Sequence, residues 1–295
     1  DEPQINAVSK SINTPLNCVF CIKMHAFCIA VYVYFITFAL IMRNLPTVTR
    51  YLLLSNFVVW MLDVVLQRYG IQLIDIFGLH YFTAGQFYFW QPFTYMFMHA
   101  NFGHIFCNMF AVLMFAPVLE NEWGSRKFLA YYLVCGIGAA LVQEAVWALM
   151  FQSAFSAIPA AQAAVYANRL VTIGASGAVF GVLFAFGWLF PNVPMYILFV
   201  PIPIRARIFV IVYALIELFA GLGGVIGFTG DNVAHFAHLG GMLFGWLLLL
   251  WWRHGKGDDI SRWWRNLRRK FHDKYPRLDS TRNKDYSDYH YQKRV

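Results

Sequence analysis

The sequence is built around apolar stretches, most of them near the roughly 20 residues that an α-helix needs to cross a bilayer. Six follow Met42, in the ranges 51–67, 104–119, 128–151, 171–190, about 206–225 and 233–252. Of the 295 residues, 59% are hydrophobic and 13% are charged, whereas a soluble domain is about half apolar and a quarter charged. A soluble enzyme is therefore disfavoured. We predict an all-α, polytopic membrane bundle with a six-helix core.

A further apolar stretch, residues 25–42, would add one N-terminal transmembrane helix to this core. An alternative is that Met42 is the natural start and that the preceding residues do not belong to the working protein. Both interpretations stay open. We divide the chain into an N-terminal extension at 1–42, a membrane domain at 43–252 and a basic tail at 253–295.

Basic residues predict the orientation of the spans, because cytoplasmic loops are enriched in Lys and Arg. The tail carries thirteen Lys and Arg against six Asp and Glu. The loops on the same side of the predicted bundle contain Arg43 with Arg50, Arg126 with Lys127, and Arg205 with Arg207. We therefore expect a cytoplasmic tail and a location in the plasma (inner) membrane. A basic tail after a hydrophobic body fits an anionic lipid surface, and we expect no nucleic-acid partner.

Four polar residues are predicted at one depth in three different spans. Ser176 lies about five residues into the fourth span and His238 five residues into the sixth. His104 and Asn108, at the start of the second span, are four residues apart and share a helix face. We predict Ser176 as a nucleophile with His238 as its base, and His104, Asn108 and the serine N–H as oxyanion donors. No acid lies at that depth in spans two, four and six, which favours a Ser–His dyad over a triad.

Small residues and one aromatic residue support this arrangement. Gly177 and Gly181 in the fourth span, and Gly241 and Gly245 in the sixth, are each separated by three residues. This spacing is typical of helices that pack closely in membranes. Phe180 lies one turn after the predicted nucleophile and would stack on the ring of the predicted base.

These residues resemble the motifs of the rhomboid family of intramembrane serine proteases. The matching segments are Gly174-Ala175-Ser176-Gly177, His104-x-x-x-Asn108 and Ala237-His238-x-x-Gly241-x-x-x-Gly245. They occur in the family's order and spans, within a resemblance that covers Arg43 to Trp252. The resemblance implies cleavage of a transmembrane segment near its outer end, without a cofactor.

The resemblance also assigns His99 to a second histidine of the family near the start of the second span. Two positions depart from the family pattern. A Trp-Arg pair in the first long loop has Trp90-Gln91 as its nearest counterpart, and Phe180 stands where the family sometimes has tyrosine.

Other polar residues have weaker interpretations. His235 and His238 are three residues apart, but the sequence shows no third ligand, and Cys18-x-x-Cys21 lacks a partner pair, so we predict no metal.

Three glutamates lie within or beside the spans. Glu120 is expected to cap a helix or pair with Arg126. Glu144 and Glu217 have no assigned role, and a proton or ion path is one option.

The function predicted from these patterns is serine endopeptidase activity on transmembrane protein substrates in a lipid bilayer. The alternative is a catalytically silent rhomboid-like binder of membrane clients. A transporter is disfavoured because we see no internal repeats with interrupted helices. The sequence sets no oligomeric state.

Overall fold

The computed structural model describes residues 42–154, 159–197, 200–225 and 234–254. The chain divides into two compact units, Asp1–Leu45 and Pro46–Val295. Of the first unit only residues 42–45 are described. Three predicted features lie outside the described residues. They are the extra helix at 25–42, of which only Met42 is described, the Cys18–Cys21 pair, and the basic tail beyond His254.

The second unit is a helical bundle, as predicted. Its helices, within the described ranges, are α1 (Thr47–Gln67), α2 (Leu73–Phe77), α3 (Gln91–Thr94), α4 (Phe102–Trp123), α5 (Ser125–Ala154), α6 (Ala160–Ala167), α7 (Ser176–Leu189), α8 (Ala206–Val225) and α9 (His235–His254). Helices α1, α4, α5, α8 and α9 are long and apolar enough to cross a membrane, whereas α7 is shorter. We use "site end" for the end of the bundle at which α4, α7 and α9 begin.

Two short antiparallel strand pairs accompany the helices and were not predicted. Strand β1 (Leu79–His80) pairs with β2 (Val171–Thr172), and β3 (Pro194–Ile197) pairs with β4 (Val200–Arg205). The first pair joins the long loop after α1 to the segment that precedes α7. The second is a hairpin between α7 and α8.

Helix α7 is the most enclosed of the described helices. It packs against α4, α5, α8 and α9, and ten of its fourteen residues are buried. A helix in this position has neighbouring helices instead of lipid on most sides, so its side chains are almost all apolar or small. The residues that begin α7 are therefore held by the core of the bundle.

The start of α7 corrects the sequence prediction. The apolar run from Val171 predicted a helix with Ser176 about five residues inside it, but Ser176 is the first helical residue. Residues 171–172 form β2 instead, with Thr172 opposite Leu79. The chain then turns at Gly174, whose φ of +121° is one that residues with a Cβ rarely adopt.

Glycines allow α7 and α9 to approach closely, as the two Gly-x-x-x-Gly motifs predicted. A Cβ on Gly241 would collide with the backbone carbonyl of Gly177, and one on Gly181 would lie 3.0 Å from the Gly241 oxygen. A Cβ on Gly177 or Gly181 would first meet α5, at Ala139 and at Cys135 respectively, and one on Gly245 would meet the Tyr131 hydroxyl of α5. Gly241 therefore serves the α7–α9 contact directly, whereas the other three glycines also let α5 approach.

The long loop, residues 68–103, both packs on the bundle and exposes aromatic rings. Tyr95 is almost fully buried, and its hydroxyl donates to the Gly136 carbonyl of α5 at 2.7 Å. Its own carbonyl accepts from the N–H of Gly174 at 2.9 Å. In contrast, Phe89 is 84% exposed. The base of this loop is therefore part of the core, whereas its tip presents aromatic surface.

The departure at Trp90-Gln91 leaves the loop well connected. The buried Gln91 side chain accepts from the His80 N–H at 3.1 Å and donates to the Gln86 carbonyl at 2.8 Å. The Trp90 indole donates to the Ile76 carbonyl at 3.0 Å. Glutamine therefore links three segments of the loop without contributing a charge.

At the far end of α4, Glu120 caps helices. Its carboxylate accepts from the N–H groups of Val48 and Thr49 at 2.8 and 2.7 Å, from the Thr49 hydroxyl at 2.8 Å and from the Ser125 hydroxyl at 2.6 Å. Pro46 precedes α1 and gives it no side-chain cap, so Glu120 supplies the acceptor that the first turn needs. Of the two expected roles for Glu120, the structure shows the cap.

Candidate active site

Ser176 and His238 meet at the site end of the bundle. Ser176 is the first residue of α7 and His238 the fourth of α9. The serine Oγ lies 2.8 Å from His238 Nε2, a hydrogen-bond distance. The close approach of α7 and α9 at the glycines positions the two side chains.

A third residue, Glu217 of α8, completes a chain of hydrogen bonds. Its Oε2 lies 2.8 Å from His238 Nδ1 and 2.7 Å from His235 Nδ1. The predicted dyad rested on the lack of an acid in spans two, four and six, whereas Glu217 lies in the fifth span. The available signal was the acid itself, because a carboxyl in an apolar span is costly and usually has a partner.

The carboxylate selects the tautomer of His238. An ionised carboxylate only accepts hydrogen bonds, so the proton of a neutral His238 ring lies on Nδ1. The lone pair of Nε2 then faces Ser176, and the serine hydroxyl donates to it. This is the arrangement that a serine nucleophile and its general base require.

Aromatic packing fixes the plane of the His238 ring. Phe180 stacks on it with ring centroids 4.2 Å apart and planes only 8° from parallel. Tyr213 of α8 in turn lies against Phe180, with centroids 5.6 Å apart. The imidazole is therefore held by a ring on its face and by hydrogen bonds at both nitrogens.

The His104 ring and the Ser176 hydroxyl both lie close to Gly174. A Cβ placed on Gly174 would be 2.6 Å from His104 Nε2 and 3.6 Å from the Ser176 Oγ, so all three groups crowd one point. The Ala100 N–H lies 3.5 Å from His104 Nδ1 and donates to it. A neutral ring that accepts at Nδ1 carries its proton on Nε2, which makes Nε2 a donor toward this point.

Two further donors belong to the same region. Asn108 is buried one turn after His104 on α4, and within the described part of the chain its Nδ2 has no hydrogen-bond partner. Ser176 opens α7, and the first N–H groups of a helix have no partner in their own helix. These groups could donate to an oxygen that becomes negative during a reaction.

His99 packs behind His104 instead of forming part of the hydrogen-bonded chain. The two rings meet edge to face, with centroids 5.0 Å apart. His99 lies in the loop before α4 and is 1% exposed. Burial, and secondarily the neighbouring His104, lower the pKa of His99 to about 4. It is therefore neutral at pH 7 and supports the position of the His104 ring.

The donor set Glu217, His235 and His238 has the spacing of metal ligands, with the three donor atoms within 4.8 Å of one another. The sequence argument that no third ligand exists is therefore wrong. However, a metal on His238 Nδ1 would leave the proton of a neutral ring on Nε2, the atom that faces Ser176. Such an ion would block a base at His238, and we assign no metal here.

The fold and this arrangement define a multi-pass membrane protein with a serine–histidine pair between its helices. A family model described as "Rhomboid domain" matches residues 86–254, more than half of the chain. The chain belongs to the rhomboid family.

Proteins with rhomboid names are among the relatives that the chain matches, and three of them follow. It is 32% identical to Rhomboid-like protein 11, chloroplastic, of Arabidopsis thaliana, over 68% of this chain and 63% of that protein. Identity is 28% to RHOMBOID-like protein 1 of the same plant, over 54% of this chain and 33% of the relative. Identity is also 28% to Rhomboid protein 1, mitochondrial, of Saccharomyces cerevisiae, over 52% of this chain and 40% of that protein. The chain thus spans less than two thirds of each relative's length.

The names of these relatives bear on the expected location. Two of the three carry the words chloroplastic or mitochondrial. They give no support to the plasma membrane expected from the basic residues. Location in a membrane as a multi-pass protein is supported by the helices and by the family.

Proposed function

We propose that this protein is an intramembrane serine endopeptidase that cleaves transmembrane segments of other membrane proteins, with Ser176 as nucleophile and His238 as general base. The observation that carries the proposal is the 2.8 Å contact between the serine Oγ and His238 Nε2. Membership of the rhomboid family supports the same class of reaction.

The reaction follows from the atoms that meet at the site. His238 Nε2 takes the hydroxyl proton as Ser176 Oγ bonds to the peptide carbonyl carbon, and the carbonyl oxygen becomes an oxyanion. The Ser176 N–H, His104 Nε2–H and Asn108 Nδ2–H donate to that oxygen. The imidazolium then gives its proton to the leaving amine as the peptide bond breaks. Water, deprotonated by the same nitrogen, releases the acyl group and restores the serine.

The length of α7 supports hydrolysis below the membrane surface. Its fourteen residues span about 21 Å at 1.5 Å per residue, less than the roughly 30 Å of a hydrocarbon core. We propose that the non-helical segment that includes Gly174 completes the crossing at the site end. A serine at the start of such a helix lies inside the bilayer yet near one face, where both lipid-embedded substrates and water can reach it.

We also propose the domain division and the orientation that the sequence predicts. The membrane domain extends from 43 to 252, with an extension before it and a basic tail after it. The positive-inside pattern supports an orientation in which the site end lies opposite the cytoplasm. The proposed chemistry needs no cofactor, because nucleophile, base and oxyanion donors all come from the chain.

The test is labelling of the detergent-purified protein with a fluorophosphonate probe, which reacts with base-activated serines. We expect the wild type to label, Ser176→Ala not to label, and His238→Ala to label at least about 100-fold more slowly. Ser55→Ala is the matched control, because Ser55 also lies in a membrane helix but its hydroxyl donates to the Leu52 carbonyl. It should label like the wild type.

One result would reject the proposal. Cooperative unfolding on heating would first show that the wild type is folded. If that folded protein neither labels nor cleaves any transmembrane segment offered to it, it is the silent binder of membrane clients. Ser176 would then be a small residue that allows helices to pack.

A further inference from the structure

We propose that Glu217 is a positioning residue of this site, which holds His238 in the tautomer that accepts the serine proton, and that His235 tunes it by sharing the same carboxylate oxygen. This inference rests on the proposed function, because it assigns Glu217 a role in the reaction of Ser176 and His238. It replaces the predicted dyad by a serine–histidine–glutamate chain.

The geometry places one oxygen at the centre of the arrangement. Glu217 Oε2 accepts from His238 Nδ1 at 2.8 Å and from His235 Nδ1 at 2.7 Å. Glu217 is buried, at 6% exposure, as is His238, at 8%. A buried carboxylate is costly unless donors surround it, and here both donors come from the helix that carries the base.

The carboxylate affects two stages of the proposed reaction. Before attack it keeps the proton of His238 on Nδ1, so that the Nε2 lone pair faces the Ser176 hydroxyl. When Nε2 takes that proton the ring becomes a cation, and the anionic Glu217 beside it stabilises this state. The proton that moves is the serine proton alone, and the carboxylate keeps its charge throughout.

His235 competes with His238 for the carboxylate. Each N–H that donates to Oε2 reduces the negative charge that the other ring feels. The other described titratable side chain that faces His238 is His104 of α4, across the serine. From α5, Cys135 and Tyr131 approach α9 at Gly245, two turns beyond the base. His235 is therefore the neighbour that can adjust the effect of Glu217.

The first experiment compares Glu217→Gln with Glu144→Gln by fluorophosphonate labelling at saturating probe. Glu144 is the matched control, since its carboxylate also lies on a membrane helix but accepts from the Phe82 N–H at 3.0 Å. Loss of a charged hydrogen bond to the base should lower the maximal labelling rate of Glu217→Gln about 10- to 100-fold. The probe concentration for half-maximal labelling should change little, and Glu144→Gln should stay within about twofold of the wild type.

The second experiment measures how labelling depends on pH. The neutral amide in Glu217→Gln stabilises the imidazolium of the proposed reaction less than the carboxylate does, so the acid limb of the labelling profile should move to lower pH. In His235→Asn, Glu217 serves His238 alone, so the same limb should move to higher pH while labelling is retained. A role confined to folding would not shift the two variants in opposite directions.

Four results decide the inference. Equal labelling of the wild type and a folded Glu217→Gln, or a shift of both variants in the same direction, would overturn it while leaving the proposed function intact. Loss of labelling in EDTA with recovery in zinc would also overturn it, because the three side chains would then be a metal site. A wild type that does not label rejects the proposed function, and this inference with it.

Discussion

Glu120 and Glu217 are both carboxylates on membrane helices, both nearly inaccessible to solvent, and their partners differ in kind. Glu120 accepts from two backbone N–H groups and two hydroxyls at the start of two helices. Glu217 accepts from two imidazoles of α9. The donors to Glu120 are amides and hydroxyls, which keep their protons near neutral pH, whereas the donors to Glu217 are imidazoles, the side-chain type that titrates closest to neutral pH.

Glu120 is thus a carboxylate that joins helices, whereas Glu217 is one whose partners could take part in proton transfer. Burial and the presence of hydrogen bonds are the same in both, so neither property identifies a functional acid. What distinguishes them is whether the donor can itself gain or lose a proton. By this criterion the carboxylate at the site end has partners that can exchange protons, whereas the carboxylate at the far end of α4 has partners that only join helices.

The largest expected effect is on stability, from Glu120→Ala. The change leaves the Val48 and Thr49 N–H groups at the start of α1 without an acceptor in a buried site. We expect the free energy of unfolding to fall by about 3–5 kcal/mol. Thermal unfolding in detergent measures this loss, and the acid limb of the labelling profile should not move. A stable Glu120→Ala, or one with a shifted pH profile, would remove the distinction between the two carboxylates.

An effect of about 3 kcal/mol is expected from acidification through His99. The folded protein protonates this ring only near pH 4, whereas the unfolded chain does so near 6.5. Between these values the unfolded state binds more protons, so stability should fall as the pH is lowered from about 6.5 to 4. Unfolding measured across this range should show a weaker pH dependence in His99→Gln. An unchanged slope in that variant would assign the acid sensitivity to other groups.

The smallest effect is expected from Phe180→Leu, which keeps the volume apolar but removes the ring stacked on His238. An aromatic pair contributes about 0.5–1.5 kcal/mol beyond area burial, which corresponds to a labelling rate about 2- to 10-fold lower. The acid limb should stay in place, because the charges around the base are unchanged. A shift in that limb would mean that Phe180, and not Glu217 alone, sets the protonation of His238.

Much of the fold, and the proximity of Ser176 and His238, followed from the sequence, because the signals for both are local. Apolar run length locates the helices, and the equal depth of Ser176 and His238 follows from counting residues within two runs. The start of α7 did not follow, because the apolar residues from Val171 fit a strand as well as a helix. Whether these residues form a strand or a helix depends on pairing with β1, which lies about ninety residues earlier in the chain.

Glu217 was missed for a similar reason. Depth can be counted along one helix, but the face that a helix turns to its neighbours is set by packing. In α8, apolar residues lie on every side of the helix around the glutamate. Among them, the Ile216 side chain is 53% exposed and the Phe219 side chain is 68% exposed. Only the packed bundle shows that Glu217 faces α9.

The short α7 also shows how a distant strand bears on one hydrogen-bond donor. The stretch from Val171 to Phe190 is long enough to cross a bilayer as one continuous helix. In such a helix the Ser176 N–H would bond to the Thr172 carbonyl, four residues earlier, and could not donate to anything else. In the structure Thr172 instead pairs with Leu79, and the helix begins at Ser176. The strand pair therefore takes the place of the helical turn that would have occupied the first N–H of α7.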